Sequence, residues 1–152
     1  ADARVALRAE TRSFDVIVGD AFTDTAVPQH LVTREFFELV AARLAPDGSY
    51  LMNVIDYADS LRAVGSLVAT LRTVFPSVEV WSEARAPQPG ERVVMVIAAG
   101  AAQTEVNRFA VPSPDRTAFA ALGPAFVDRM AARGIVLTDD YAPIDRLVGA
   151  RD

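Results

Sequence analysis

The sequence predicts an α/β fold in which a sheet of parallel strands is completed by an antiparallel strand. Short apolar runs alternate with amphipathic segments through the first 75 residues, which is the pattern of parallel strands joined by helices. After Pro76 the pattern changes, because two apolar strands follow with only a Pro/Gly-rich turn between them. Parallel strands need a longer crossover, so the last two strands are predicted to be antiparallel.

The first strand is predicted at residues 14–20, where the run FDVIVGD is typical of a strand buried on both faces and ends in an aspartate. Asp20 therefore follows the carboxyl end of the strand, where open α/β sheets bind their ligands. Thr33 is predicted to cap a helix that runs to about Leu44. The sequence Pro-Asp-Gly at residues 46–48 is expected to end that helix.

The later elements are a strand at 49–55, a helix at about 60–74, the antiparallel strands 78–81 and 92–98, and a helix at about 124–133. A parallel sheet that finishes in an antiparallel strand is the ending of the class I methyltransferase-type, Rossmann-like fold. No glycine-rich turn precedes the first strand. The sequence is therefore interpreted as the carboxyl-terminal half of such a domain.

The composition argues against several classes of function. The formal net charge of -5 is unfavourable for nonspecific nucleic-acid binding. The chain has no cysteine and one histidine, so thiolate sites are excluded and no metal site is predicted. No apolar run approaches 18 residues, and no membrane span is expected. We expect a cytoplasmic protein.

Three segments resemble the spermidine synthase (aminopropyltransferase) family in their order and spacing. They are FDVIVGDAF, VPQHLVTREFFELVAARLAPDGSYLMNV and LTDDYAPIDRL. The resemblance implies that residues 1–100 form the carboxyl-terminal half of an S-adenosylmethionine (AdoMet)-dependent methyltransferase-like domain. Residues 101–152 are then expected to be an extension that packs on the same domain.

The resemblance also implies a decarboxylated AdoMet donor and a polyamine acceptor such as putrescine. Asp2 and Ala3 match the family's acidic pair, which holds the adenine of the donor. Asp20 matches the aspartate beside the donor's sulfonium and the attacking amine. Polyamine synthases continue that strand as Asp-Ser-Ser-Asp-Pro, whereas here the second acid, Asp24, comes one residue later and no proline follows it.

The predicted reaction assigns roles to these side chains. A carboxylate at the end of the strand can accept a proton from the attacking amine and can position a cation, so Asp20 is the candidate catalytic residue. Asp24, Asp139 and Asp140 are candidates for binding the far ammonium of the acceptor. Tyr57, just beyond the second strand, is a candidate for lining the acceptor pocket.

Two other functions stay open. The altered spacing after Asp20 leaves AdoMet-dependent methyl transfer as an alternative, since the same fold serves it. The missing glycine-rich loop leaves a non-catalytic, truncated homologue as another. If the first strand has no neighbour on its other side, its free edge is expected to pair with a second copy or with a chain that supplies the missing amino-terminal half.

Overall fold

The computed structural model describes residues 2–20, 28–112, 114 and 116–148. The helices are α1 (Ala3–Ala9), α2 (Arg34–Ala41), α3 (Arg62–Leu71), α4 (Pro124–Arg133) and α5 (Ile144–Leu147). The strands are β1 (Phe14–Gly19), β2 (Leu44–Tyr57), β3 (Ser77–Glu83), β4 (Arg92–Gly100), β5 (Arg108–Ala110) and β6 (Ala118–Ala121). A short 3-10 helix, Gln29–Leu31, precedes α2.

The strands form one sheet with the order β1-β2-β4-β3-β6-β5. β1 and β2 are parallel, and β4 lies between β2 and β3 and is antiparallel to both. The predicted antiparallel pairing of the last two strands is therefore confirmed. β5 and β6 form a hairpin that extends the sheet beyond β3. The sequence does not predict this hairpin, because its strands are only three and four residues long.

The hydrophobic core lies on one face of the sheet, which we call the core face. In β2 the buried residues Tyr50, Met52 and Val54 alternate with Leu51 and Ile55, which are only half-buried. Helices α2, α3, α4 and α5 each contribute buried residues to the same cluster as those core-face residues. The opposite side, which we call the open face, carries the aliphatic residues Val16, Val18, Leu51, Ile55, Val94 and Val96 together with the polar residues Asn53 and Glu79.

The prediction that the first strand is buried on both faces is wrong. Val16 and Val18 are 54% and 65% exposed, whereas Ile17 is partly buried against the core. β1 is at the edge of the sheet. The described helices pack on the core face alone, so within the described residues these two valines have no covering layer.

Thr33 caps α2 as predicted, but the helix is shorter than predicted. It ends at Ala41, and Leu44 instead pairs with Phe14 and begins β2. Residues 45–48 then lie between that pair and the point where regular pairing with β1 resumes. The helix ends early because the chain leaves it to pair with β1 before it reaches the Pro-Asp-Gly segment, which lies within β2.

Two glycines allow α4 and the segment after it to approach α3 closely. A Cβ on Gly65 would collide with the carbonyl oxygen of Met130, and a Cβ on Gly134 would collide with the backbone of Gly65. The region after residue 100 therefore packs through α4 on the helix that covers β2. The division of the chain at residue 100 stays a prediction.

Buried hydroxyls attach the segment after α4 to the same helix. The Thr70 hydroxyl donates to the Ser66 carbonyl at 2.7 Å and accepts from the Leu137 N–H at 2.9 Å. The Ser66 hydroxyl accepts from the Ile135 N–H at 3.1 Å. These bonds hold the chain that leads from α4 to Asp139, and so they help to place the predicted acidic residues of the tail.

Candidate functional site

Asp20 directly follows β1, at the carboxyl end of that strand and beside the carboxyl-terminal half of β2. The amide Nδ2 of Asn53 donates to its Oδ1 at 3.1 Å. Asn53 is well placed for this bond, because Gly19 pairs with Met52, the residue before it. The sequence analysis missed Asn53. The available signal was a single amide within the apolar run SYLMNVI, at the same end of the sheet as Asp20.

A groove of about 410 Å³ runs between α1 and β1 and includes Asp20 at one end. Its lining is mostly apolar. The lining residues are Ala3, Ala6, Leu7, Glu10, Phe14, Ile17, Val18, Gly19, Asp20, Leu31, Phe36, Tyr50 and Met52. A groove with an apolar lining and few polar groups is suited to a ligand with a flat or apolar body and one polar end.

Tyr50 supplies a polar group to this groove from the core face. Its side chain is only 2% exposed, and burial raises the pKa of its hydroxyl, so the group stays protonated. The hydroxyl lies against the backbone of Gly19, where a Cβ would collide with it. Glycine at position 19 therefore makes room for Tyr50 immediately before Asp20.

Asp2 caps the first turn of α1. Its Oδ1 accepts from the Val5 N–H at 3.0 Å, and its Oδ2 lies 2.8 Å from Nε2 of His30. The hydrogen bond from the Val5 backbone is the main cause that lowers the pKa of Asp2. Ala3 follows in the first turn and lines the groove. The predicted adenine-binding role of this pair stays a prediction.

Asp139 forms a bidentate ion pair with Arg4, at 2.8 and 2.5 Å. It also accepts from the Thr33 hydroxyl at 2.7 Å, and its backbone N–H donates to Glu35. The hydrogen bonds from Arg4 lower the pKa of Asp139 to about 2. The carboxylate thus ties the tail to α1 and α2, and an acceptor ammonium would have to compete with Arg4 for it.

Arg4 also connects Asp139 with the neighbourhood of Asp2. Its guanidinium donates to the carbonyl of His30 at 3.2 Å, while the ring of His30 contacts Asp2. The structure therefore brings Asp2 and Asp139, two residues 137 positions apart, into one polar network. The ion pair between Arg4 and Asp139 joins residues so far apart in the sequence that no local pattern predicts it.

Three further residues were predicted from the sequence to bind the substrate: Tyr57, Asp140 and Asp24. Tyr57 is the last residue of β2 and 37% exposed, four residues and about 13 Å along the strand from Asn53. Asp140 is exposed in the turn closed by Thr138 and Tyr141. Asp24 lies outside the described residues. The substrate-binding roles of all three stay predictions.

Within the described ranges, no group of three or more acidic, histidine or cysteine side chains is arranged to hold a metal ion. The helices of the same ranges include none with the length and hydropathy needed to cross a bilayer.

Comparison with known proteins relates the chain to two kinds of transferase. It is 27% identical over 132 residues to polyamine aminopropyltransferase 2 of Pseudomonas aeruginosa, an alignment that covers 85% of this chain and 37% of that protein. It is 35% identical over 83 residues to the N-terminal histidine N-methyltransferase of Emericella nidulans, covering 53% of this chain and 14% of that protein. No protein-family model matches.

Solved structures show the same relationship. A probable spermidine synthase from Corynebacterium glutamicum superposes with a TM-score of 0.71 at 25% identity, over 91% of this chain and 52% of that chain. The chain is spermidine synthase-like. Human methyltransferase-like protein 13, solved in complex with SAH, has a TM-score of 0.51 at 20% identity, over all of this chain and 60% of that one. The resemblance and the class I methyltransferase-type fold predicted from the sequence are both confirmed.

The spermidine synthase-like chain spans only part of each of these relatives, 37% of the aminopropyltransferase and about half of the solved spermidine synthase. Within that part it carries Asp20 at the end of a parallel strand, with a groove beside it.

Proposed function

We propose that this chain carries the acid-bearing part of an aminopropyltransferase site, in which Asp20 acts on the attacking amine of a diamine such as putrescine. The donor in this proposal is decarboxylated AdoMet. The observation that carries the proposal is the position of Asp20: it follows a parallel strand, is held by Asn53 and borders the groove. Open α/β sheets bind their ligands at this end.

The chemistry of the transfer fits a carboxylate at this point. The attacking amine must lose a proton before it can displace the sulfur from the aminopropyl carbon, and Asp20 can accept a hydrogen bond from it as a general base. A carboxylate also favours the cationic donor and acceptor electrostatically. Asn53 fixes one carboxylate oxygen. Among the described residues no other group bonds to the second oxygen, which is therefore available to the amine.

The groove supports the donor side of the proposal. Ala3 and Leu31 line it near Asp2, and Tyr50 presents a protonated hydroxyl from beneath. An adenosyl group has a flat, largely apolar body with polar edges, which suits such a lining. In this arrangement Asp2 and Ala3 lie at the adenine end and Asp20 lies at the sulfonium end.

Methyl transfer is the second candidate, and one observation favours it. The relative with the higher identity, 35%, is a histidine N-methyltransferase, although its alignment covers 53% of this chain. Methyl transfer from AdoMet would leave S-adenosylhomocysteine, whereas aminopropyl transfer leaves methylthioadenosine. The two products therefore distinguish the two reactions.

Isothermal titration with each product tests the proposal. We expect micromolar binding of methylthioadenosine and much weaker binding of S-adenosylhomocysteine. Asp20→Asn should weaken binding of a positively charged donor analogue, whereas Asp47→Asn, at an exposed position near the amino-terminal end of β2, should not. Preference for S-adenosylhomocysteine would favour methyl transfer, and binding of neither would contradict a donor site in this chain on its own.

A further inference from the structure

Helix α1 forms one wall of the groove, although it is too short to be stable by itself. It has seven residues, none of which is buried, and isolated helices shorter than about 12 residues are marginal in water. The residues that it contributes to the lining are Ala3, Ala6, Leu7 and Glu10. Tertiary contacts must therefore hold this wall in place, together with Asp2 at its start.

Asp139 is attached to the amino-terminal end of α2. Its Oδ1 accepts from the Thr33 hydroxyl at 2.7 Å, and its backbone N–H donates to Glu35 at 3.0 Å. Two residues earlier, the carbonyl of Leu137 accepts from the Arg34 N–H at 2.8 Å. Thr33 is fully buried, and α2 contributes three residues to the core. The carboxylate of Asp139 is thus held by the well-packed part of the protein, independently of α1.

Arg4 links this carboxylate to α1. Its side chain is only 12% exposed and forms the bidentate ion pair with Asp139 and a bond to the carbonyl of His30. The ring of His30 in turn lies 2.8 Å from a carboxylate oxygen of Asp2. A charged group that is mostly out of water is strongly unfavourable once its partner is removed. Without the charge of Asp139, Arg4 would regain water most readily if α1 moved away from the tail.

We propose that Asp139 and Arg4, which we call the latch, position Asp2 and the α1 wall of the groove for the adenosyl group of the donor. This inference rests on the proposed function. It gives Asp139 a positioning role on the donor side, in place of the acceptor-binding role predicted from the sequence. Both oxygens of the carboxylate already bond to Arg4. The other contact of Arg4 leads to His30 and Asp2, at the adenine end of the groove.

Titration of the protein produced from its own gene with methylthioadenosine tests the donor-side role. We expect Asp139→Asn to weaken binding about tenfold, because the wall is no longer preorganised, and to leave putrescine binding unchanged. Arg4→Gln should have a similar effect, and the double variant should be no worse than either single one, since each change alone opens the latch. Asp128→Asn breaks the ion pair with Arg72, which lies outside the groove lining, and is the matched control.

Two results of these titrations would overturn the proposal. One is an unchanged affinity of Asp139→Asn for the nucleoside. The other is a loss of putrescine binding while the nucleoside affinity is kept, since that result would assign Asp139 to the acceptor.

Amide hydrogen exchange tests the latch without any ligand. The N–H groups of Ala6 and Glu10 bond to carbonyls within the first residues of α1 and its cap. We expect them to exchange about tenfold faster in Asp139→Asn than in the unmodified protein, with the amides of β4 unchanged in both. Unchanged exchange in α1 would overturn the proposal. Failure of the proposed function has a different signature, because the unmodified protein would then bind neither nucleoside whereas α1 would still respond to Asp139→Asn.

Discussion

Asn53 of β2 donates a hydrogen bond to Asp20 at the carboxyl end of β1, at 3.1 Å. The bond depends on the register that places Gly19 opposite Met52. A one-residue shift would turn Asn53 to the other face of the sheet. The candidate catalytic carboxylate is therefore oriented by the strand pairing itself, and its orientation can be tested apart from its presence.

Asn53→Ala is expected to weaken function while leaving the fold intact. Loss of one hydrogen bond to a carboxylate near the surface is expected to cost about 1 kcal/mol of transition-state or binding free energy. This corresponds to roughly a five- to tenfold fall in aminopropyl transfer rate or in donor affinity. The melting temperature should change little, because the bond is exposed. Asn107→Ala, at an exposed position away from Asp20, is the control. If the transfer rate and the donor affinity of the Asn53 variant are unchanged, Asn53 does not position Asp20 for function.

Gly19→Ala is expected to destabilise the protein by about 1–3 kcal/mol, because the new methyl group would overlap the Tyr50 hydroxyl. Tyr50→Phe removes that oxygen, so the double variant should recover part of the loss. The measurement is the free energy of urea unfolding of the four proteins in a double-mutant cycle. Gly123→Ala has no atom within 4 Å of the added Cβ and is the matched control. Strict additivity would show that the two side chains do not interact.

Much of the fold follows from local sequence signals. The Thr33 cap and the apolar spacing after it predict α2, and the short turn between the last two apolar strands predicts their antiparallel pairing. Burial of β1 on both faces was predicted from the same kind of signal and is wrong. An apolar run such as FDVIVG indicates that both faces of the strand are suited to burial. Whether both are buried depends on elements that lie elsewhere in the sequence.

The candidate site is predictable only in part, for a similar reason. The position of Asp20 at a strand end follows from the apolar run before it. Its bond to Asn53 depends on the register of β1 and β2. The network that joins Asp2 to Asp139 depends on the ion pair between Arg4 and Asp139, which are 135 positions apart. Such contacts arise from tertiary packing and leave no spacing signal in a single sequence.

Thr70→Val is expected to lower the free energy of unfolding by about 1–3 kcal/mol. The substitution keeps the shape of the side chain but leaves the buried Leu137 N–H without its acceptor. Chemical denaturation measures the loss. Thr73→Val removes a hydroxyl from an exposed position in the turn that follows α3 and should change stability by less than about 0.5 kcal/mol. Equal effects of the two variants would mean that the Thr70 bond does not hold the tail.

The ion pair of Arg4 with Asp139 should make stability depend on pH in acid. The hydrogen bonds from Arg4 lower the pKa of Asp139 from its ordinary value of 3.8 to about 2. The folded state therefore binds this proton less readily than the unfolded state, and the contribution is complete above about pH 4 and lost as the pH falls through about 2. The carboxylate is 43% exposed, so solvent reduces the size of the effect.

The measurement is the free energy of unfolding of the unmodified chain and of Asp139→Asn between pH 2 and 7. We expect their difference to be constant above pH 4 and to shrink towards pH 2. The free energies of the two proteins must be subtracted, because contacts with Arg12 and Arg85 also lower the pKa of Glu10 and Glu91 to about 2. Those two carboxylates make the stability of both proteins depend on pH, and the subtraction removes their contribution. A difference that stays constant down to pH 2 would mean that Asp139 is not held as a carboxylate by Arg4.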